Sequence, residues 1–325
     1  MSKKILLNIA AVLLLAAVLT AVSGCRPGPG ASRPEEEPVR PVSSSEKRDF
    51  KSRTGTIRLS PTGPEDQVNI LLLGFDAQGV SDAIVLLTYN NVTFDAAMIS
   101  IKRITHVDFQ TWSEKGMGHD AICWASYAGM GYGGSDYLGG ARLAAETTEQ
   151  LLGVPIHAYA AITFEGFKEL INQIGGVVVD VAPGFAGTRL TPGVQRLYGE
   201  EALRYARHRK EPRVPEPGSD TTDGDRIRRN QRLLQAVLEQ CRTFTTDELL
   251  QVYEALNQKL HTNLDDWDLM ILANIFFHHD LRLVEQLVLP GEHRMVYESG
   301  LDMELEYYFL DFEACDEIFT RLGMK

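Results

Sequence analysis

Two groups of residues stand out for the chemistry their types and spacing could support. The first lies in Leu72-Leu73-Gly74-Phe75-Asp76-Ala77-Gln78-Gly79-Val80-Ser81-Asp82. A short apolar run stops at Gly74, and Asp76 and Asp82 bracket a loop that leads into the next apolar run. Carboxylates at the ends of adjacent strands can converge on a hard cation such as Mg²⁺. That ion takes one or two carboxylates and leaves positions for phosphate oxygens. Aspartates are also common turn and strand-start residues, and the loop alone does not choose between the two uses.

The second group is a basic island between residues 202 and 232. Arg204, Arg207, Arg209, Lys210, Arg213, Arg226, Arg228, Arg229 and Arg232 fall there, and eight of these nine are arginine. The planar guanidinium fork matches pairs of phosphate oxygens, which a lysine point charge does not. Arg207 and Arg209 lie two apart, so an extended backbone would place both on one face. Arg226 and Arg229 lie three apart and would be neighbours on a helix, with Ile227, Leu234, Leu238 and Cys241 turned inward and the arginines outward. A loop from Lys210 to Gly224 joins the two arginine groups. A solvated charged face normally mixes lysine with glutamate, so this pattern favours anion binding.

Other candidates carry less. His278-His279-Asp280 resembles a metal cluster, but adjacent histidines on a helix point apart. His119, Cys123 and His157 show no nucleophile–base signature. Gly129 to Gly140 is glycine-rich without a following Lys-Ser/Thr, which excludes a P-loop and suggests a mobile loop beside the site. Beyond Cys25 the cysteines are Cys123, Cys241 and Cys315, an odd number with no Cys-x-x-Cys. They read as buried bystanders rather than a zinc or disulfide framework.

These residues need a scaffold. Val68 to Leu73, Ala83 to Leu87 and Ala97 to Ile101 are near-continuous apolar runs, as expected of strands covered on both faces. Gly140 to Leu152 and Phe164 to Ile174 have helical periodicity, the second ended by Gly175-Gly176. Ile156 to Ile162 and Val177 to Val181 read as further strands. The expected class is α/β or α+β, a layered helix–sheet–helix body around a central mixed sheet over residues 66–242. Residues 243–325 read as a mostly helical extension packed on the same body. Phe244 to Leu260 and Asp266 to His278 would be its helices, and Leu283 to Leu289 a strand.

Composition and the N-terminus bound the setting. The chain has 325 residues, 32 basic and 44 acidic, for a net charge of −12. A fold-wide polyanion surface, and with it dedicated nucleic-acid binding, is therefore disfavoured. Lys3 and Lys4 precede an apolar run from Ile5 to Val22 that ends in Val22-Ser23-Gly24-Cys25. This describes a secretory signal, and its ending resembles a bacterial lipobox with Cys25 as the lipid-bearing residue. An uncleaved anchor helix is the alternative. Either leaves the protein on the outer face of a bacterial cytoplasmic membrane. Residues 26–65, rich in Pro, Ser and charge, read as a disordered tether.

The order of motifs resembles the LytR–CpsA–Psr family of cell-envelope proteins. The likeness rests on Asn69-Ile70-Leu71-Leu72-Leu73-Gly74-Phe75-Asp76, Ser81-Asp82, Ser100-Ile101-Lys102-Arg103 and Phe164-Glu165-Gly166-Phe167. It continues through Ile174-Gly175-Gly176-Val177, Leu197 to Arg209 and Asp223 to Gln231. The resemblance implies a phosphotransferase that moves an undecaprenyl-pyrophosphate-linked glycan, of teichoic acid or capsule type, onto peptidoglycan. Pyrophosphatase side activity is compatible with the same chemistry. It implies Mg²⁺ or Mn²⁺ on Asp76 and Asp82, with these two and Arg103 as the catalytic group. Arg103, Arg207, Arg209, Arg226 and Arg229 would clamp the pyrophosphate, and Gln231 or Asn230 would complete the site. The polyprenyl tail would lie in an apolar tunnel between sheet and helices.

Two positions depart from the family pattern. Asp76-Ala77-Gln78 stands where Asp-x-Arg is usual, and Ile101-Lys102-Arg103-Ile104 where Ile-Pro-Arg-Asp is usual. One clamp arginine and one acid are missing. A non-catalytic lipid-pyrophosphate or glycan-binding lipoprotein, regulatory or scaffolding, is the competing expectation.

Overall fold

A computed structural model describes residues 66–108, 120–131, 134–183, 190–208, 222–241, 243–256, 258–265, 268, 272, 282–298 and 301–325. Cys25, the tether, Arg209, Lys210, Arg213 and His278-His279-Asp280 lie outside the described residues.

The apolar runs form the centre of a six-stranded sheet. β1 (Gln67–Phe75), β2 (Ser81–Asn90) and β3 (Asp95–Ile101) pair antiparallel in sequence. β4 (Ala158–Thr163) joins β1 in parallel. At the edges, β7 (Leu260–Thr262) pairs with β4, and β8 (Arg282–Val288) pairs in parallel with β3. The order is β7-β4-β1-β2-β3-β8. β1, β3, β4 and β8 therefore run the same way and end on one rim, where β2 begins. In open α/β sheets, ligands bind outside the carboxyl ends of such strands.

The side chains of the central strands divide between two apolar layers. Ile70, Leu72, Val85 and Met98 meet α3 (Phe164–Gln173), α4 (Gly199–Arg207), α5 (Thr222–Cys241) and α6 (Thr246–Leu256). Leu71, Leu73, Leu86 and Ile99 meet α1 (Trp124–Gly129), α2 (Tyr137–Leu152) and α7 (Phe312–Arg321). Alternation along fully covered strands gives the helix–sheet–helix layering that the continuous apolar runs required.

One expectation is corrected, and two others gain detail. The segment after residue 243 is not mostly helical among the described residues. Besides α6 and α7 it supplies β7, β8 and the antiparallel hairpin of β9 (Gly291–Glu298) and β10 (Met303–Leu310). β8 matches the strand expected over Leu283 to Leu289, whereas β9 and β10 carry charged and polar residues among their apolar ones and lack the continuous apolar signature of the central strands. β5 (Val177–Val181) does form, but it pairs with β6 (Gly193–Leu197) in a separate two-stranded sheet. Of the glycines between 129 and 140, Gly129, Gly139 and Gly140 pack α1 onto α2. A Cβ on Gly129 would stand 2.5 Å from Gly139 O and 2.8 Å from Gly140 Cα.

Candidate functional site

The first loop is held by its own aspartate. Asp76 Oδ1 accepts from Gln78 N and Val80 N, both at 2.9 Å, and Asp76 N donates to Val80 O at 3.0 Å. Gly79 closes the turn with φ of 86°, and a Cβ there would meet Met130 Sδ at 2.4 Å. Only glycine combines that conformation with that contact. Ser126 Oγ on α1 donates to Gly79 O at 2.8 Å and accepts from Ser81 Oγ at 2.7 Å. Asp76 thus serves as a turn residue, and at the same time its buried carboxylate is fixed at the rim.

Asp82 follows at the start of β2 and is 2% exposed. Its Oδ1 is ion-paired and hydrogen-bonded to Arg103 Nη1, from the segment just past β3. The strand register (Ile84 opposite Ile101) explains the meeting, because Asp82 and Arg103 each lie two residues beyond that pair on the same rim. Two charges this deeply buried are tolerated because each satisfies the other. The second nitrogen of Arg103 lies 3.7 Å from Cys123 Sγ. Burial, the larger influence, pushes the Cys123 thiol up to about 11 despite the nearby guanidinium, so it is a neutral thiol at ordinary pH. Sequence reading passed over Cys123 as a bystander. It is a buried free thiol, as are Cys241 and Cys315, but it touches a candidate catalytic arginine.

The basic side comes from helices. Arg207 is the last residue of α4, and the extended conformation begins only at His208, with φ −61° and ψ 122°. The pairing with Arg209 on one extended face therefore does not apply to Arg207. Its guanidinium instead lies 4.8 Å from the ring centroid of Phe164, the first residue of α3, and Phe164 packs on Ala83 next to Asp82. Phe164 was not singled out as a site residue, and its only sequence signal was its place in the Phe-Glu-Gly-Phe stretch. Arg229 Nη2 donates to His208 O at 2.6 Å, tying α5 to the end of α4.

Arg226 and Arg229 do not reach outward as expected. Each is only 2% exposed, whereas Arg228 and Arg232 on the same helix are exposed. The spacing explains it: Arg226, Arg229 and Asn230 share the buried face, and Asn230 is 5% exposed. Gln231 turns toward the sheet rim, where Nε2 donates to Ser100 Oγ at 3.2 Å and to Leu287 O at 3.4 Å. Of the two candidates for that place, Asn230 shares the arginine face and Gln231 anchors the helix to β3 and β8.

The two departures are also placed. Gln78 is exposed and contributes its backbone N–H to Asp76. Ile104 packs in the apolar layer with Tyr308 and Leu310. Among the described residues there is no group of three or more His, Cys, Asp or Glu placed to hold a metal. Two buried carboxylates, Asp76 and Asp82, suit a cation that draws its remaining ligands from phosphate and water rather than an all-protein cage.

The sequence matches the LytR_cpsA_psr family across residues 39–323. The chain belongs to that family. Its members include the polyisoprenyl-teichoic acid–peptidoglycan teichoic acid transferase TagU of Bacillus mycoides, 27% identical over 330 residues, 99% of this chain and 97% of that protein. The TagU of Oceanobacillus iheyensis is 32% identical over 208 residues, 62% of this chain and 60% of that protein. A solved structure described as TagT bound to LIIa-WTA superposes with a TM-score of 0.58 at 26% identity. The superposition covers 82% of this chain and 92% of TagT. As a family member the chain has the expected mixed-sheet α/β fold.

Proposed function

We propose that the protein is a membrane-anchored extracytoplasmic phosphotransferase. It moves a glycopolymer of teichoic acid or capsule type from undecaprenyl pyrophosphate onto peptidoglycan. The observation that carries this reading is the burial of Arg103, paired with Asp82 at the carboxyl rim of the sheet, together with that of Arg226 and Arg229 on α5. Desolvated guanidinium groups are costly in an apolar body unless they face a compact anion or a fixed partner. A pyrophosphate offers paired oxygens that match their forks. The names of TagU and of TagT bound to LIIa-WTA support the choice of donor and acceptor.

In this reading the acceptor hydroxyl attacks the glycan-bearing phosphorus. The new P–O bond forms as the bridging P–O bond breaks, and undecaprenyl phosphate leaves. Asp82 takes the hydroxyl proton while Arg103 holds that carboxylate in place. Arg207, Arg209, Arg226 and Arg229 neutralise the equatorial and leaving oxygens, where charge develops. Asp76 and Asp82 would hold Mg²⁺ or Mn²⁺, which would lower the charge on the pyrophosphate when bound. The polyprenyl tail lies between the sheet and the α3–α6 layer, and Cys25 carries the lipid anchor.

A second reading, binding without turnover, is favoured by the exposed Gln78 and the apolar Ile104 at positions where the family pattern has an arginine and an acid. Release of polyprenyl phosphate from a lipid-linked donor with Mg²⁺ separates the two, comparing wild type with Asp82→Ala and Arg207→Ala. Turnover by the wild type that both variants lose supports the transferase. Tight donor binding by the wild type without release leaves only the second reading.

A further inference from the structure

We infer that the β9–β10 hairpin belongs to the site, with Lys102, His293 and Tyr308 acting as positioning residues that hold Arg103 against Asp82. This rests on the functional reading above, since it assigns a role in presenting that arginine to the pyrophosphate.

The segment from Lys102 to Val107 is gripped on both sides. On one side Cys123 N donates to Arg103 O at 3.2 Å, Ile122 N to Thr105 O at 2.9 Å and Val107 N to Asp120 O at 2.7 Å. On the other side Tyr308 N donates to Ile104 O at 2.9 Å and His106 N to Tyr308 O at 2.8 Å. Thr105 bridges Tyr308 in parallel, and His106 bridges Ala121 antiparallel. The arginine-bearing segment is thus held between residues 120–123 on one side and β10 on the other.

Lys102, next to Arg103, fastens this arrangement. It is 6% exposed, and its ammonium lies 3.9 Å from the Tyr308 ring centroid and 2.9 Å from His293 Nε2. Tyr308 and His293 are cross-strand partners in the hairpin, and His293 Nδ1 lies 2.8 Å from Glu306 Oε1. An ammonium can donate to Nε2 only when that nitrogen keeps its lone pair. The hairpin is fixed to the main sheet in turn. Tyr308 Oη donates to Leu289 O at 3.1 Å, and Leu289 N donates to Ser100 O at 3.1 Å, three residues before Arg103. A buried ammonium that loses its partners is expensive, so loosening the hairpin displaces the residue that precedes Arg103.

The test measures equilibrium binding of geranylgeranyl pyrophosphate with Mg²⁺ to the full chain, with thermal unfolding run in parallel. Lys102→Met and His293→Leu should each weaken binding about 10-fold, as coupled neighbours do. His293→Gln, which keeps an acceptor for the ammonium, should stay within about 2-fold of wild type. On an Arg103→Ala background neither Lys102→Met nor His293→Leu should weaken binding further, because their effect runs through that arginine. Full additivity on that background, or unchanged binding in folded His293→Leu, overturns the inference. If Lys102→Met does not fold, the His293 pair decides alone. Absence of binding by the wild type overturns the functional reading, and this inference with it.

Discussion

On the acidic side of the site, Asp76 and Asp82 stand at strand ends whose places are fixed by backbone pairing. On the basic side, Arg207, Arg226 and Arg229 belong to helices; an aromatic ring steadies Arg207 and a carbonyl steadies Arg229. The acidic side is locked before any ligand arrives. Asp76 is held by two amide donors, and Asp82 is paired with Arg103. The basic side is gathered around the end of α4, where Arg229 reaches His208 and Arg207 covers Phe164. In the proposed transfer the two halves would divide the labour: one would fix the reacting geometry, and the other would supply charge to the leaving polyprenyl phosphate.

The largest effect should come from the locked half. Asp82→Ala leaves Arg103 buried without its carboxylate, so unfolding in urea should show a loss of about 3–5 kcal/mol. Donor turnover should fall roughly 1000-fold, because base and anchor are lost together. In the double variant with Arg103→Ala, part of that stability should return, because no unpaired charge then remains.

The helical half should respond in affinity. Arg226→Met should weaken pyrophosphate binding roughly 100-fold by titration calorimetry, because its guanidinium is wholly desolvated. Arg207→Ala should cost less, about 10-fold, and Phe164→Leu about 3-fold through the lost cation–π contact.

A pH series probes Cys123, which touches Arg103. Its thiol is raised from 9.0 to about 11, so the folded state keeps a proton that the unfolded chain releases. Stability therefore falls as pH rises through 9 toward 11. Between pH 8 and pH 10 the wild type should lose about 1 kcal/mol relative to Cys123→Ala, read from urea midpoints. The smallest effect is expected at Arg228. It is exposed on the same helix as Arg226, and Arg228→Ala should alter donor affinity by about 2-fold or less.

Much of the scaffold was legible because β1, β2 and β3 are continuous apolar runs, which only a doubly covered sheet explains. β9 and β10 were not, since Gly291-Glu292-His293-Arg294-Met295-Val296-Tyr297-Glu298 carries the weaker pattern of a half-exposed ribbon. Asp76, Asp82 and the arginine island were visible from residue type and spacing. Which arginines are buried was not, because Arg226 and Arg229 differ from Arg228 and Arg232 only in helical phase relative to a body the sequence does not draw. Lys102 was quoted only within motif stretches, with no role of its own. Its partner His293 lies 191 residues away, and no local pattern connects them.

The transfer reaction itself tests the central claim most directly. The full chain would be incubated with Mg²⁺, a polyprenyl-pyrophosphate-linked glycan and peptidoglycan oligosaccharides, and the products identified by mass spectrometry. The account predicts a glycan–phosphate–peptidoglycan diester and polyprenyl phosphate in equal amounts, both absent with Asp82→Ala. Tight binding of the donor by the wild type with neither product formed, or undiminished product from Asp82→Ala, would contradict it.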